Sequence, residues 1–273
     1  MKTRRRIKRK VLYILIGVVL IACGILIYKV LDQKKPIKED KSVNNNDDEK
    51  PVIKEEVKKV SLFMVGDALI HDPIYKGAYD SATKTYDFRP MLEFVKPISS
   101  TYDLAFYNQE TILGGAELGL SGWPSFNSPY EVGDAFIDAG FNMVSTATNH
   151  TYDKKEKGVI NSCNYWAKKD NVYMSGTKLN GEESDVKIFE KNGIKFAYVA
   201  YTKGLNGNVL PKGKEYLVNV FSYDKAKTDI ESVRDKVDFV IVSMHWGKDV
   251  LGKSIQTEEG RVKIVGVIKD FNI

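Results

Sequence analysis

Asn142-Met143-Val144-Ser145-Thr146-Ala147-Thr148-Asn149-His150 is a short apolar run that ends in a polar pair, and the chain uses the same design four times. Residues 60–65 lead into Gly66-Asp67, residues 104–107 into Asn108-Gln109-Glu110, and residues 239–244 into His245-Trp246-Gly247. Runs of this length, rich in β-branched and aromatic side chains, read as strands. Helical patterns cover 130–139, stopped by Gly140, and 155–169, 224–235 and 257–270. Residues 188–202 contain Asn192-Gly193, a two-residue hairpin turn between apolar strands. Strands alternating with helices, plus one hairpin, predict an α/β layered sandwich of mixed sheets. Folds of that class gather their sites where strand C-termini meet, which would bring Asp67, Glu110, Asn149, His150 and His245 to one crevice.

Composition sets the remaining bounds. With 43% hydrophobic and 28% charged residues, the 273-residue chain is neither fibrous nor wholly disordered. Seven of its 41 Lys and Arg fall in the first ten residues, which leaves 34 cations against 36 acids over residues 11–273, a net charge of −2. A body so balanced lacks the basic stripe of a nucleic-acid-binding domain, so nucleic acid is not an expected partner.

Residues 11–28 carry no charge. As a helix they would measure roughly 27 Å, close to the thickness of a bilayer core. The basic flank at residues 1–10 predicts a cytoplasmic N-terminus, residues 11–31 a single-pass transmembrane signal-anchor, and everything beyond Lys29 an extracellular location at the cell membrane. The alternative is a lipoprotein, because Leu20-Ile21-Ala22-Cys23 resembles a lipobox, although the apolar run continues past Cys23. Residues 32–59 are rich in Lys, Glu and Asn and read as a disordered linker. Residues 60–273 suit one domain. The only other cysteine is Cys163, so no intrachain disulfide is expected.

Asp, Glu, Asn and His are hard or borderline donors that suit Mn²⁺, Mg²⁺, Zn²⁺ or Fe²⁺. A Gly-Asp after a strand is also a common turn, and a lone His after a strand is often a packed side chain. Taken together, Val65-Gly66-Asp67-Ala68-Leu69-Ile70-His71, Asn108-Gln109-Glu110-Thr111, Thr148-Asn149-His150-Thr151-Tyr152-Asp153 and His245-Trp246-Gly247 resemble the successive motifs of the capsule-synthesis family of the CapA type, the poly-γ-glutamate synthesis proteins, within the calcineurin-like metallophosphoesterase superfamily.

That resemblance implies a four-layer α/β/β/α metallophosphoesterase-like sandwich with two divalent ions. Asp67, Glu110, Asn149 and His245 would bind metal, and His150 would protonate a leaving group or hold a phosphoryl oxygen. Asp153 would orient His150, or else cap the following helix. The superfamily has a histidine two residues after the first Asp, where Leu69 stands here. His71 would substitute as a metal ligand if its loop curls back, and otherwise belongs to a substrate loop. The superfamily's terminal two-histidine motif does not occur within residues 1–273. Because Asp270-Phe271-Asn272-Ile273 resembles Asp138-Ala139-Gly140-Phe141-Asn142-Met143, the chain is expected to stop as a strand begins, with further ligands beyond it and an open sheet edge.

The Gly- and Pro-rich residues 122–129 form either a substrate rim or a packed cover. Lys154, Lys155 and Lys157 form either an anion-attracting patch or a solvated helix face. The function implied is that of a membrane-anchored, metal-dependent hydrolase-like protein serving an anionic capsular polymer within a membrane synthase or export complex. The alternative is a non-catalytic polymer-binding scaffold of such a complex.

Overall fold

The computed structural model describes residues 57–246, together with the backbone of Ser254–Thr257 and Gly260–Lys263. In chain order the elements are β1 (Leu62–Asp67), α1 (Asp72–Gly77), β2 (Tyr79–Asp80), β3 (Thr85–Tyr86), α2 (Lys96–Ser99), β4 (Leu104–Asn108), α3 (Glu131–Asp138), β5 (Met143–Ser145), α4 (Lys155–Trp166), β6 (Tyr173–Ser175), β7 (Lys187–Lys191), β8 (Ile194–Thr202), α5 (Tyr223–Val233), β9 (Phe239–His245), β10 (Ser254–Thr257) and β11 (Gly260–Lys263). The strands β1-β4-β5-β6 form a wholly parallel sheet. A second sheet, β7-β8-β9, pairs β7 with β8 antiparallel and β8 with β9 parallel. This is the mixed α/β architecture that the strand and helix alternation predicts.

Side-chain alternation stacks these elements into layers. In β4 every residue is buried, as expected of a parallel strand covered on both faces. Leu104 and Phe106 point with Met143 of β5 into a cluster completed by Phe196, Tyr198 and Ala200 of β8, so the two sheets pack face to face. Ala105 and Tyr107 point the other way, into a cluster with Val132 and Ala135 of α3 and Tyr165 and Trp166 of α4. On the far side, Ala197, Val199 and Tyr201 of β8 meet Ala226, Ile230 and Val233 of α5. The order is therefore helices, sheet, sheet, helix. Each large apolar side chain so enclosed contributes roughly 1.5–3 kcal/mol.

Local chemistry sets several boundaries. The Ser222 hydroxyl accepts the Lys225 amide and starts α5. Gly140 ends α3 in the left-handed region at φ 91°, and the Phe141 amide reaches back to the Phe136 carbonyl at 3.0 Å, the closing bond of a Schellman stop. Asn192 and Gly193 both have positive φ, 51° and 71°, as the two-residue β7–β8 hairpin requires.

One element differs from expectation. Ser254–Thr257 and Gly260–Lys263 pair antiparallel, with Thr257 opposite Gly260, where the sequence pattern predicts a helix over 257–270. Ser-Ile-Gln-Thr and Gly-Arg-Val-Lys alternate with period two and carry β-branched residues, a strand signal that the longer helical pattern masks. The rest of that expected helix lies outside the described residues.

The expected anchor at 11–31 and most of the expected linker at 32–59 also lie outside the described residues. Among the described residues, no helix is long and apolar enough to cross a membrane. Bonding begins before residue 60: the Lys58 ammonium donates to the Gly193 carbonyl at 2.8 Å, and Asn192 Nδ2 donates to the Lys59 carbonyl at 3.0 Å.

Asp103 clasps the same corner. It accepts from the Ser61 amide and hydroxyl, both at 2.8 Å, and from Asn192 Nδ2 at 2.9 Å. The Ser61 amide and hydroxyl, then Asn192, hold the Asp103 carboxyl down at about 2. A depressed carboxyl stabilises the fold above its ordinary range near 3.8, and that stabilisation is lost as pH falls toward about 2. Asp103→Asn is expected to lower Tm at neutral pH, with the deficit shrinking below about pH 4 in parallel melts. A deficit that stays constant from neutral pH down to about pH 3 would contradict this clasp.

Candidate functional site

The polar residues at the strand ends continue the alternation of the inter-sheet core. In β4, Leu104 and Phe106 face inward, and Asn108 follows at the same period. In β9, Ile241 packs on the inter-sheet cluster, and Ser243 and then His245 continue that face. The β1–β4 register runs Leu62↔Leu104 and Met64↔Phe106, then slips so that Asp67 pairs with Asn108. One extra residue in β1 therefore turns Asp67 onto the inward face, which strict alternation would deny it. Asn108 Nδ2 donates to Asp67 Oδ1 at 2.7 Å.

The loop after β5 is held by hydroxyls. Thr151 Oγ1 donates to the Thr146 carbonyl at 2.6 Å and accepts the Thr148 amide at 2.8 Å, and Thr148 Oγ1 donates to the Glu110 carbonyl at 2.7 Å. These bonds present Asn149 and His150 beside Glu110. Gly176 backs the loop with φ 125°, and a Cβ there would stand 2.3 Å from the Ala147 amide nitrogen.

His245 sits at the centre. Its Nε2 lies 2.7 Å from Asn149 Oδ1 and 3.9 Å from Glu110 Oε1, and its Nδ1 lies 3.1 Å from Asn108 Nδ2 and 3.9 Å from Asp67 Oδ1. Burial, and secondarily the neighbouring His150, push the imidazole down to about 4. The ring is therefore neutral near pH 7, and the 3.9 Å approaches are not ion pairs. Asn108 Nδ2 donates to Nδ1, which leaves Nε2–H to donate to Asn149 Oδ1.

This donor set suits a divalent ion. It holds the buried Glu110 carboxylate and the largely buried Asp67 carboxylate, a neutral imidazole and carboxamide oxygens, and Asn108 Oδ1 is buried with no hydrogen-bond partner among the described residues. Among the described residues no thiolate is near, the one cysteine there, Cys163, being buried against Thr177. Among the described residues, no three of Asp, Glu, His and Cys already close into a ligand cage. The fit rests on donor chemistry and on convergence around His245.

A second group adjoins it. His150 Nδ1 lies 2.8 Å from Asp153 Oδ2, with both side chains 4% exposed. Asp153 Oδ2 also accepts the Phe126 amide at 2.7 Å. Asp153 does not cap α4, whose N-cap is Lys154 with no side-chain bond. The Phe126 ring lies 4.6 Å from His150 and 4.9 Å from His71. His71 thus belongs to this aromatic wall and immediately precedes α1.

The 122–129 loop divides its roles, because Phe126 is 1% exposed whereas Trp123 is 69% exposed, 6.4 Å from His150. Of the three lysines, Lys155 is bonded to Asn208.

Asn108 and Asn206 are partners that the sequence motifs do not assign. Asn206 Oδ1 accepts from Asn149 Nδ2 at 3.1 Å, and Asn206 Nδ2 lies 3.4 Å and 3.5 Å from the two His150 nitrogens. This fixes the Asn149 amide with its oxygen toward His245. The period-two inward face of β4 is the signal that marks Asn108. Asn206, at φ 50°, comes from a separate loop with only a turn-like Asn-Gly as its sign.

Together these features define an α/β protein whose strand ends gather a buried cluster of oxygen and nitrogen donors. The family model described as bacterial capsule synthesis protein PGA_cap matches residues 61–259, and the chain belongs to that family. No curated protein sequence matches the chain. Among solved structures it is similar to a novel phosphatase from Mycoplasma pneumoniae, at 16% identity over 69% of this chain and 56% of that one with a TM-score of 0.38. It is also similar to a putative 5′-nucleotidase from Staphylococcus aureus in complex with α-ketoglutarate, at 13% identity over 70% and 38% with a TM-score of 0.44. The third, the NAD nucleotidase of Haemophilus influenzae, gives 11% identity over 67% and 39% with a TM-score of 0.41. The chain thus spans between 38% and 56% of these proteins' lengths.

Two glycines separate tight from tolerant positions here. A methyl group at Gly66 would meet nothing within 4 Å, so Gly66→Ala should leave Tm nearly unchanged. Gly176→Ala should cost about 2 kcal/mol or more, read as a Tm drop of several degrees. Equal melting of the two variants would contradict the role given to Gly176.

Proposed function

We propose that this chain is a membrane-anchored, metal-dependent hydrolase-like protein that acts outside the cell in the synthesis or export of an anionic capsular polymer, poly-γ-glutamate or an acidic polysaccharide. In this reading the two packed sheets and their outer helices are the four-layer sandwich of the metallophosphoesterases. The basic residues 1–10 stay cytoplasmic, residues 11–31 form the anchor, and a membrane synthase or export complex is the partner. The observation that carries the reading is the convergence of Asp67, Glu110 and Asn149 on the buried, neutral His245.

Asp67, Glu110, Asn149 and His245 would hold one or two divalent ions, with Asn108 Oδ1 a further oxygen donor. Ions bound there would make water a nucleophile near neutral pH and offset the negative charge that develops on the reacting group. The chain's own residues do the rest. Asp153 holds the His150 Nδ1 proton, so His150 Nε2 is the atom that carries or receives a proton at the leaving group. Asn206 keeps the Asn149 oxygen turned inward. Phe126 walls the His150 side of the reacting end against water. A non-catalytic, polymer-binding scaffold is the second reading, favoured by Leu69 at the position of the superfamily's first-motif histidine.

Calorimetric titration of the full-length chain with Mn²⁺ tests the assignment. Binding is expected, and Glu110→Ala or His245→Ala should weaken it by more than the roughly 10- to 100-fold that an outer-shell partner costs. Asn206→Ala should fall within that outer-shell range while Asn206→Asp keeps most of the affinity. A chain that binds no Mn²⁺ or Zn²⁺ and gains no thermal stability from either would refute the metal-dependent reading.

The anchor has its own test in protease shaving of intact cells. The body should be cut while a cytoplasmic control survives. A body that resists while an external control is cut would place the domain inside.

A further inference from the structure

Between β3 and β4 the chain turns almost continuously from Phe88 to Tyr102, with amides bonded from Met91 to Phe88, Val95 to Leu92, Ile98 to Val95 and Tyr102 to Ser99. Leu92 and Val95 pack inward on the cluster beneath α3 and α4, and Ser99 is buried with its hydroxyl on the Ala139 carbonyl. Met91, Phe94, Ile98 and Tyr102 follow the same helical spacing beside that inward row, yet they are 49%, 85%, 50% and 38% exposed. Glu93, Lys96 and Ser100 occupy the remaining side. Four large apolar side chains at i, i+3, i+7 and i+11 form a stripe, and an exposed apolar stripe marks an interaction surface. The segment is fixed to the body: the Tyr102 ring lies 5.3 Å from Phe63 of β1, and Lys96 pairs with Asp138 of α3 at 2.8 Å.

The stripe ends where the chain enters the domain. Asp103, next to Tyr102, accepts from the Ser61 amide and hydroxyl, and exposed Lys58 and Lys59 precede that corner. β1 and β4 are parallel, so this corner lies at their N-terminal ends and the polar site at their C-terminal ends. Residues 32–56, twenty-five in all, read from composition as a tether with a root-mean-square span of roughly 25–30 Å. A bilayer crossed by residues 11–28 would therefore stay within reach of the stripe, and weak contacts would suffice to seat the domain.

We propose that Met91, Phe94, Ile98 and Tyr102 form a membrane-docking surface that seats the domain on the outer face of the bilayer that anchors it. The proposal rests on the anchor reading of residues 11–31. The three aliphatic and phenyl side chains enter the boundary between headgroups and acyl chains, the Tyr102 hydroxyl stays among the headgroups, and Lys58 and Lys59 lie over lipid phosphates. The C-terminal strand ends, and the site with them, remain open to solvent.

The test uses the full-length chain, one copy per nanodisc, in equal parts phosphatidylcholine and phosphatidylglycerol with plain or brominated acyl chains. Phe94→Trp places an indole on the stripe. Val209→Trp is the control, because Val209 is also 85% exposed but lies on the loop that carries Asn206. Relative to the unsubstituted chain, the emission added by Phe94→Trp should shift to the blue and lose most of its intensity in brominated lipid, and that added by Val209→Trp should do neither. Adding Ile98→Asp to Phe94→Trp should remove the quenching without changing Tm. Quenching of Phe94→Trp no stronger than that of Val209→Trp would overturn the proposal. A blue shift without quenching would overturn it too, since the stripe would then be covered by protein, either a second copy or another part of this chain. A chain that does not enter the discs would refute the anchor reading and this proposal together, whereas an incorporated chain with an unquenched indole would refute this proposal alone.

Discussion

Face-to-face packing of the two sheets is the constraint on which everything else in this molecule depends. Leu104, Phe106 and Met143 meet Phe196, Tyr198 and Ala200 in one buried layer. Because β1, β4 and β5 are parallel to one another and β8 is parallel to β9, that packing brings C-terminal strand ends from both sheets to one rim. The apolar layer turns polar there without changing its period: Phe106 gives way to Asn108, and Ile241 to Ser243 and His245. The site is thus the inter-sheet core continued in polar residues, which explains why its side chains are nearly as buried as the core itself.

A buried polar layer is costly unless its groups find partners, and here carboxamides supply many of them. Asn108 bridges Asp67 and His245, Asn149 meets His245, and Asn206 meets Asn149 and His150. An amide offers a donor and an acceptor without a charge, so it can orient carboxylates and imidazoles while leaving the charge on them for a cation. The extra residue in β1 serves the same end, since it alone brings Asp67 to the inward face.

Much of this architecture is legible in the amino-acid sequence. Apolar runs meeting polar clusters mark the four strand ends, and Asn192-Gly193 marks the hairpin, because few other pairs adopt its left-handed conformations. Strand limits are less legible: the run at 142–147 narrows to Met143–Ser145, although Asn142 and Thr146 on either side still bond to Ala105 of β4 and Ser175 of β6. The pattern at 257–270 misleads because a four-residue period-two signal is short beside a fourteen-residue helical one. Asn206 is out of reach, since its meaning comes only from tertiary proximity to Asn149 and His150. The ordering of Phe126 against His150 is also out of reach, because a Gly- and Pro-rich loop gives no sign of which aromatic turns inward.

The central claim is that Asp67, Glu110, Asn149 and His245 form one cation-binding cluster created by the meeting of the two sheets. Anomalous diffraction from crystals of the protein grown with Mn²⁺ tests it most directly. The account predicts anomalous density within ligand distance of Glu110 and His245, with the Asn149 oxygen turned toward it. Density located only elsewhere, with His245 still hydrogen-bonded between Asn108 and Asn149, would contradict it.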